Sequence, residues 1–376
     1  LKPELFTREN IQTLTFPQTE DGDYARRYLL PMIMEGVQKY IGNAHNTRMM
    51  AAKVGDVILP ITVTDFHIEN AYVCSPYSHY VSYGALDEVK RLNNPPVEEL
   101  IKLVMRPIAW YLRQSEFDKV AYVNNWLVST NLYPPIEADQ LRALCEALPK
   151  WFPDRPIIFR SVDEFQNPIV FHTLRELGYE MLLSRQVWYL DPQVGTSLKV
   201  HREDLRAINK NGHAVGSDLH EDEIARGVEL YNMLYIEKYS HYNPQFTWEF
   251  LKLARDEKLL TIKTIRRDGR VNAIMGYFSR NGAMTPPLFG YDTSLPKLDA
   301  LYRHLTVLTM REAKEFGLML HDSSGVGKFK KKRGAKKVIE YNAVFTKHLP
   351  LSRRLPWKVI GLVSKAAIPL FKKNDF

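Results

Sequence analysis

The feature that most constrains this chain is a cycle of elements that occurs twice. Hydrophobic periodicity predicts, in the first half, a strand at Val120–Asn124, a polar loop at Asn125–Pro135 and a helix at Ala138–Leu148. A strand at Pro156–Phe159, a helix at Ile169–Leu177 and a long strand at Tyr179–Leu190 complete that half. The second half repeats the order: strand Met284–Tyr291, helix Pro296–Phe316, strand Leu318–Asp322, short helix Lys328–Arg333 and strand Val338–Phe345. Ahead of it, Leu260–Arg266 and Val271–Ser279 flank an Asp268-Gly269 turn, a hairpin signal. Such arrays predict an α/β fold of mixed sheets (α+β in arrangement), built as two tandem lobes, each a sheet flanked by helices. The boundary is expected near residue 195, giving lobes at 1–195 and 196–350 and a tail at 351–376. Residues 1–25 are polar and read as a loosely ordered arm, and Ala71–Val73 reads as a strand. Sites in such sheets lie at strand C-terminal ends. Here those ends are Asn124–Asn131 and His321–Gly325.

Charge is distributed unevenly. From Leu301 to Phe376 there are 17 Lys/Arg against 5 Asp/Glu, whereas the whole chain carries a net charge of only +8. A basic end points to an anionic partner: CoA phosphates, tRNA, a nucleotide-linked substrate or an acidic membrane surface. A solvated basic face is the alternative. Two cysteines, Cys74 and Cys145, give no disulfide framework, and eleven histidines show no metal-ligand spacing. No signal-peptide pattern is found in the first residues, so the expected setting is reducing and cytoplasmic.

Three groups of residues carry a resemblance. They are Gly276-Tyr277-Phe278 with Pro287-Leu288-Phe289-Gly290-Tyr291-Asp292, Leu301-Tyr302-Arg303 with Glu312-Ala313, and Phe329-Lys330 with Arg333-Gly334-Ala335. Over residues 247–350 this pattern resembles the GNAT acyltransferase superfamily. The two-copy arrangement resembles its Fem-like, double-GNAT branch. The resemblance implies N-acyl transfer; acyl-CoA is the co-substrate slightly favoured, and no tightly bound cofactor is expected. Conventional members seat the CoA pyrophosphate on a glycine-rich turn that opens a helix. The matching turn here, Tyr291 to Lys297, has no glycine, and Pro296 lacks an N–H. Fem-like enzymes also lack a good pyrophosphate turn and take aminoacyl-tRNA. The donor therefore stays open between a CoA or carrier-protein thioester and a charged tRNA. A catalytically silent GNAT-like protein binding RNA or membrane is the rival reading.

Direct acyl transfer needs two substrates in line, a route for the amine proton and donors for the developing oxyanion. His321 and Asp322 can relay the amine proton, or cap the helix that follows. Asp292 can anchor or deprotonate the amine, or form a turn. Tyr291 and Tyr302 can protonate the leaving group, or pack. Lys330 and Arg333, three residues apart on one helical face, are candidates for phosphate or tRNA-end contact. The resemblance adds Tyr302 and Arg303 to the donor side.

On the acceptor side, polar-aromatic loops offer Tyr77, His79, Asn125, Tyr239 and Tyr242 for a small-molecule or peptide-like amine. They can equally satisfy their own backbone. The tail, Leu355–Phe376, mixes apolar residues with lysines. It reads as a packing helix, or as a peripheral contact with an anionic membrane.

Overall fold

The structure, a computed structural model, describes residues 1–87 and 95–375. The chain forms two compact units: Leu1–Ser184 with Ser240–Gln245 and Tyr341–Pro369, and Arg185–Tyr239 with Phe246–Glu340 and Leu370–Phe376.

The first unit begins with a short strand, β1 (Glu4–Phe6), and helix α1 (Glu20–Glu35). The opening residues are therefore ordered, contrary to the expected loose arm. Phe6, Ile11 and Leu14 are buried, β1 pairs with β2 (Thr47–Val54), and Thr19 caps α1 by accepting the Gly22 N–H. Next come β3 (Val57–Thr64), α2 (Pro95–Gln114), β4 (Val120–Val123), α3 (Ala138–Trp151), β5 (Ile157–Val162) and α4 (Pro168–Glu176). The predicted strand at Ala71–Val73 is a turn; Ala71 and Tyr72 give their N–H groups to the carbonyls of Asn43 and Tyr242, not to a ladder. Strand β6 (Glu180–Leu190) starts in this unit and ends in the other.

The second unit continues with α5 (Pro192–Ser197), α6 (Lys199–Asn209), β7 (Ala214–Gly216), α7 (Ile224–Asn232), α8 (Trp248–Asp256), β8 (Thr261–Arg267), β9 (Arg270–Arg280) and β10 (Ala283–Tyr291). Then follow α9 (Leu301–Glu315), β11 (Met319–His321), α10 (Gly327–Lys332) and β12 (Lys336–Phe345). A long helix, α11 (Leu351–Lys373), closes the chain.

The repeat seen in the sequence is real, and the two copies trade their last strand. The first unit runs β1-β2-β3-β4-β5-β12, and the second runs β7-β8-β9-β10-β11-β6. Orientation matches step for step. β4–β5 and β10–β11 are parallel, while β12–β5 and β6–β11 are antiparallel. Each copy is thus completed by a strand from the other half of the sequence.

In the first unit an apolar core of α3, α4 and one sheet face includes Leu141, Leu144, Leu148, Phe171 and Leu174. A second cluster joins Leu112 of α2 and Trp357 and Ile360 of α11 to Val120, Tyr122, Ile158, Leu182 and Val344. In the second unit, Leu301, Leu305 and Leu308 of α9 pack on Ile265, Met275, Met284 and Leu320 of the strands.

Candidate active site

The parallel pair in the second unit parts almost at once. β10 and β11 are joined only at Ala283–Met319 and Met284–Leu320, and β10 then runs on alone to Tyr291 on that side. By contrast, β9 and β10 stay paired to Ala273–Tyr291, with a bulge between Thr285 and Leu288. A bulge bends the strand that carries it. Gly290, near the end of β10, lies against the backbone of α7: a Cβ there would stand 2.5 Å from the Leu230 carbonyl. Only glycine admits so close an approach.

After Tyr291 the chain turns differently from the expectation. Helix α9 begins at Leu301, five residues past Pro296. Between them Lys297–Asp299 forms a 3-10 turn, held by a bidentate pair in which Arg267 reaches both Asp299 oxygens at 3.0 and 3.1 Å. Ala300 then takes a left-handed conformation, φ 54°, at the N-cap. Such φ values normally fall to glycine. The missing proline N–H is therefore outside the first turn of α9, and no side chain caps that turn. Its leading N–H groups carry the positive end of the helix dipole.

A cavity of about 570 Å³ opens here, wholly within the second unit. Tyr291, Tyr302, Phe329, Leu295 and Met233 supply its apolar and aromatic walls. The Tyr302 ring meets those of Phe329, Phe289 and Tyr291 at 5.0, 5.6 and 6.1 Å, edge-on. Three exposed cations, Lys238, Lys297 and Arg303, stand at the cavity with Glu237. Lys238 donates to the Tyr291 hydroxyl at 3.1 Å and follows a π-helical stretch, Met233–Glu237, that ends α7. Widened turns of this kind re-aim side chains and occur often at functional sites. Burial pushes the Tyr302 phenol well above its usual pKa, so it stays protonated and able to donate.

Asp292 also lines the cavity, whereas His321, Asp322, Lys330 and Arg333 do not. Asp292 is buried and fully engaged. It accepts from Arg226 at 2.5 Å and from the Ser294 hydroxyl and N–H at 2.5 and 3.0 Å, with Arg270 at 3.5 Å. Burial raises its pKa, but these partners outweigh it and hold the carboxyl below its usual range. A carboxylate so occupied is a weak proton acceptor.

His321 is buried, and its Nδ1 accepts the Ser323 N–H at 3.1 Å. Burial drives its pKa down to about 3, so the ring is neutral. Burial raises the Asp322 carboxyl, against the charges of Lys330 and Arg333. Lys330 turns inward: its ammonium donates to the carbonyls of Asp322, Ser323 and Ser324, the last at 3.0 Å. Arg333 grips Asp204 in a buried bidentate pair at 2.8 and 2.9 Å and lies 3.3 Å over the Phe329 ring. These two residues thus fix the strand-end loop and α10. Arg303 lies 3.7 Å from Asp204 while lining the cavity. Tyr239 packs on the apolar cluster beside Tyr302, with Lys238 over its ring.

The remaining candidates lie in the first unit. Asn125 is fully buried. It donates to Thr62 at 2.7 Å and to the Val73 carbonyl at 2.9 Å, and it accepts from Arg160 at 2.7 Å. Tyr77 gives its N–H to Asp118 at 2.7 Å and accepts from Arg113 at 2.9 Å through its hydroxyl. His79 is buried against Tyr72 and Tyr80. The Tyr242 carbonyl accepts from Tyr72 in the loop held by Asn43.

Of the residues singled out in the sequence, Tyr291, Asp292, Tyr302 and Arg303 line the cavity. The sequence reading misses Lys238, Lys297 and Glu237 as wall residues. Lys297 ends a turn whose lack of glycine points away from a phosphate site, and nothing local marks the π-helical turn that precedes Lys238.

Neither a family model nor a curated protein matches this sequence. Solved structures do. FemX aligns with 96% of this chain and 100% of its own, at a TM-score of 0.53 and 8% identity. L-PGS from Bacillus licheniformis aligns with 60% of this chain and 78% of its own, at 0.44 and 15% identity. A protein from Enterococcus faecalis described as a probable N-acyltransferase aligns with 91% and 72%, at 0.36 and 9%. At such identities the likeness is one of fold, and the FemX alignment carries it. The chain has the Fem-like, double-GNAT fold.

Proposed function

We propose that the protein is a transferase that passes an acyl group from a phosphate-bearing donor directly to an amine, with the donor seated in the cavity of the second unit. The observation that carries this reading is the start of α9. An uncapped helix N-terminus, turned by left-handed Ala300, opens at a cavity bearing Lys238, Lys297 and Arg303. Backbone N–H groups, helix dipole and cations together suit a phosphate. The early parting of β10 and β11 gives a slender acyl-bearing arm room beside β10. Acyl-CoA or a carrier-protein thioester is the donor this arrangement favours. The sequence resemblance to Fem-like enzymes, and the turn without glycine after Tyr291, favour a second reading, with aminoacyl-tRNA as donor.

In either case the amine nitrogen attacks the acyl carbonyl carbon. An amide bond forms, the C–S or C–O bond to the donor breaks, and the amine loses a proton. The leaving sulfur or oxygen takes up a proton. Tyr302, held protonated, and Tyr291, beside Lys238, are assigned to that atom. Asp292 is assigned to holding the turn, and Lys330 and Arg333 to holding the loop.

The test is turnover. Purified protein is offered acyl-CoAs, a carrier-protein thioester and charged tRNA with a panel of amines, and products are read by mass spectrometry. Amide formation with one donor class is expected. Absence of product with all three, together with nucleic-acid binding that falls steeply with salt, would replace the enzyme with a binding protein.

A further inference from the structure

We infer that the outer face of α2 and α11 in the first unit docks on an anionic lipid bilayer. This stands apart from the proposed transfer reaction. The inner faces of both helices join one apolar cluster with the same strands, Leu112, Met105 and Ile108 from α2 and Trp357 and Ile360 from α11. They therefore cover the same face of that unit's sheet. Phe117, just beyond α2, packs on Trp357 with the rings tilted and their centroids 4.3 Å apart.

Their outer faces are apolar where water-facing helices are normally polar. On α2, Leu100, Leu103, Val104 and Trp110 point outward, with Leu103 63% and Trp110 67% exposed. On α11, Leu351, Leu355 and Leu362 fall within about 40° of one another at the helical repeat, and Leu362 is 69% exposed. Val363 is exposed beside them. Scattered exposed leucines need no explanation, but a contiguous group marks an interaction surface.

Charge selects the partner. From Leu351 to Pro369 the helix has no acidic residue and carries Arg354, Lys358 and Lys365 besides Arg353, which pairs with Glu116. Lys358 and Lys365 flank the apolar stripe, where long side chains keep their charge at a lipid headgroup layer while the stem lies on apolar surface. On α2, Lys102, Arg106 and Arg113 line a cleft of about 430 Å³ with Met105 and Trp110. That combination of cations and apolar wall suits a phospholipid headgroup. The acidic residues of α2, Glu98 and Glu99, lie near its start, Glu99 pairing with Lys102 at 2.7 Å, so the net positive charge rests with Arg106 and Arg113 and the lysines of α11. No described helix is long and apolar enough to cross a membrane, so contact along the surface is the geometry these helices permit.

The experiment is co-sedimentation of the full chain with vesicles of phosphatidylcholine alone, or mixed with phosphatidylglycerol. Binding to the mixed vesicles only, weakened by salt, is expected. Leu103→Asp with Leu362→Asp should lower it about tenfold or more, since each leucine loses its apolar seat. Arg106→Gln and Lys358→Gln should each lower it about fivefold. These two leave the apolar surface intact, so they decide the matter if the aspartate variant fails to fold. No sedimentation, sedimentation indifferent to the substitutions, or a dimer that Leu103→Asp dissociates would overturn the inference.

Discussion

The two units share a six-strand plan, but their strand ends differ. In the first, the loop after β4 closes on itself. Asn124 accepts from the Trp126 indole at 2.9 Å, Asn131 accepts the Trp126 N–H at 2.8 Å, and Asn125 binds Thr62, Val73 and Arg160. In the second, the chain after β10 opens a cavity of about 570 Å³ with cations at its wall. One copy uses its polar side chains to satisfy its own loop, and the other leaves several exposed at a cavity wall. Sequence polarity alone does not separate these uses, because asparagine-rich and tyrosine-rich loops serve both.

Substitutions can break this contrast. The largest effect is expected from Asp204→Ala, which strands a buried guanidinium, Arg333, behind the cavity. Removing one partner of such a pair costs about 3–5 kcal/mol. Chemical denaturation should show that loss. An unchanged midpoint would mean that α10 is not anchored as described.

The units also hold buried groups that respond oppositely to pH. In the first, burial raises Asp118 from 3.8 to about 7, against bonds from Ser75 and the Tyr77 N–H. Between these values the folded chain binds a proton that the unfolded chain has lost. Stability from this group therefore falls as pH rises through that window and is level above it. In the second unit, burial lowers His321 from 6.5 to about 3 and His304 to about 4. There the unfolded chain binds the extra proton, and stability falls as pH drops below about 6.5. Unfolding measured across pH should lose the first slope in Asp118→Asn and part of the second in His321→Asn. Identical pH profiles for wild type and variants would remove this distinction between the units.

Asn125→Ala should cost about 1–3 kcal/mol by leaving buried partners unsatisfied, and leave the donor KM unchanged. Arg303→Ala and Lys297→Ala should do the reverse. Each is expected to raise the donor KM about tenfold, the equivalent of roughly 1.4 kcal/mol, with an unchanged melting temperature. Tyr302→Phe should lower kcat more than it moves KM. If Asn125→Ala raised the donor KM as Arg303→Ala does, the first unit's loop would belong to the donor site as well.

Much of the architecture was legible before any coordinates. Alternation at β8 and β9 around Asp268-Gly269, the apolar stripe of α3 and the recurrence of one element order all survive in the structure. These are local or periodic signals, set by side-chain direction along a strand or helix. What failed was non-local. The opening residues pattern as a polar arm, yet Phe6 and Ile11 find a core supplied by later segments. The helix after Tyr291 is expected to open at Pro296, yet the Arg267–Asp299 pair and left-handed Ala300 delay it to Leu301.

By itself, then, the sequence determined the two-copy α/β fold and placed Tyr291, Tyr302 and Arg303 near a strand end. It also concentrated the positive charge in the final 76 residues. Only the tertiary structure decided what that charge does. Lys330 and Arg333 face backbone carbonyls and Asp204 because burial requires every charge to find a partner. Arg303 stays exposed at the cavity, beside Lys238 and Lys297 from outside that stretch, where the pairing of β11 with β10 ends early. Composition counts these lysines and arginines alike, and only their burial and their partners tell them apart.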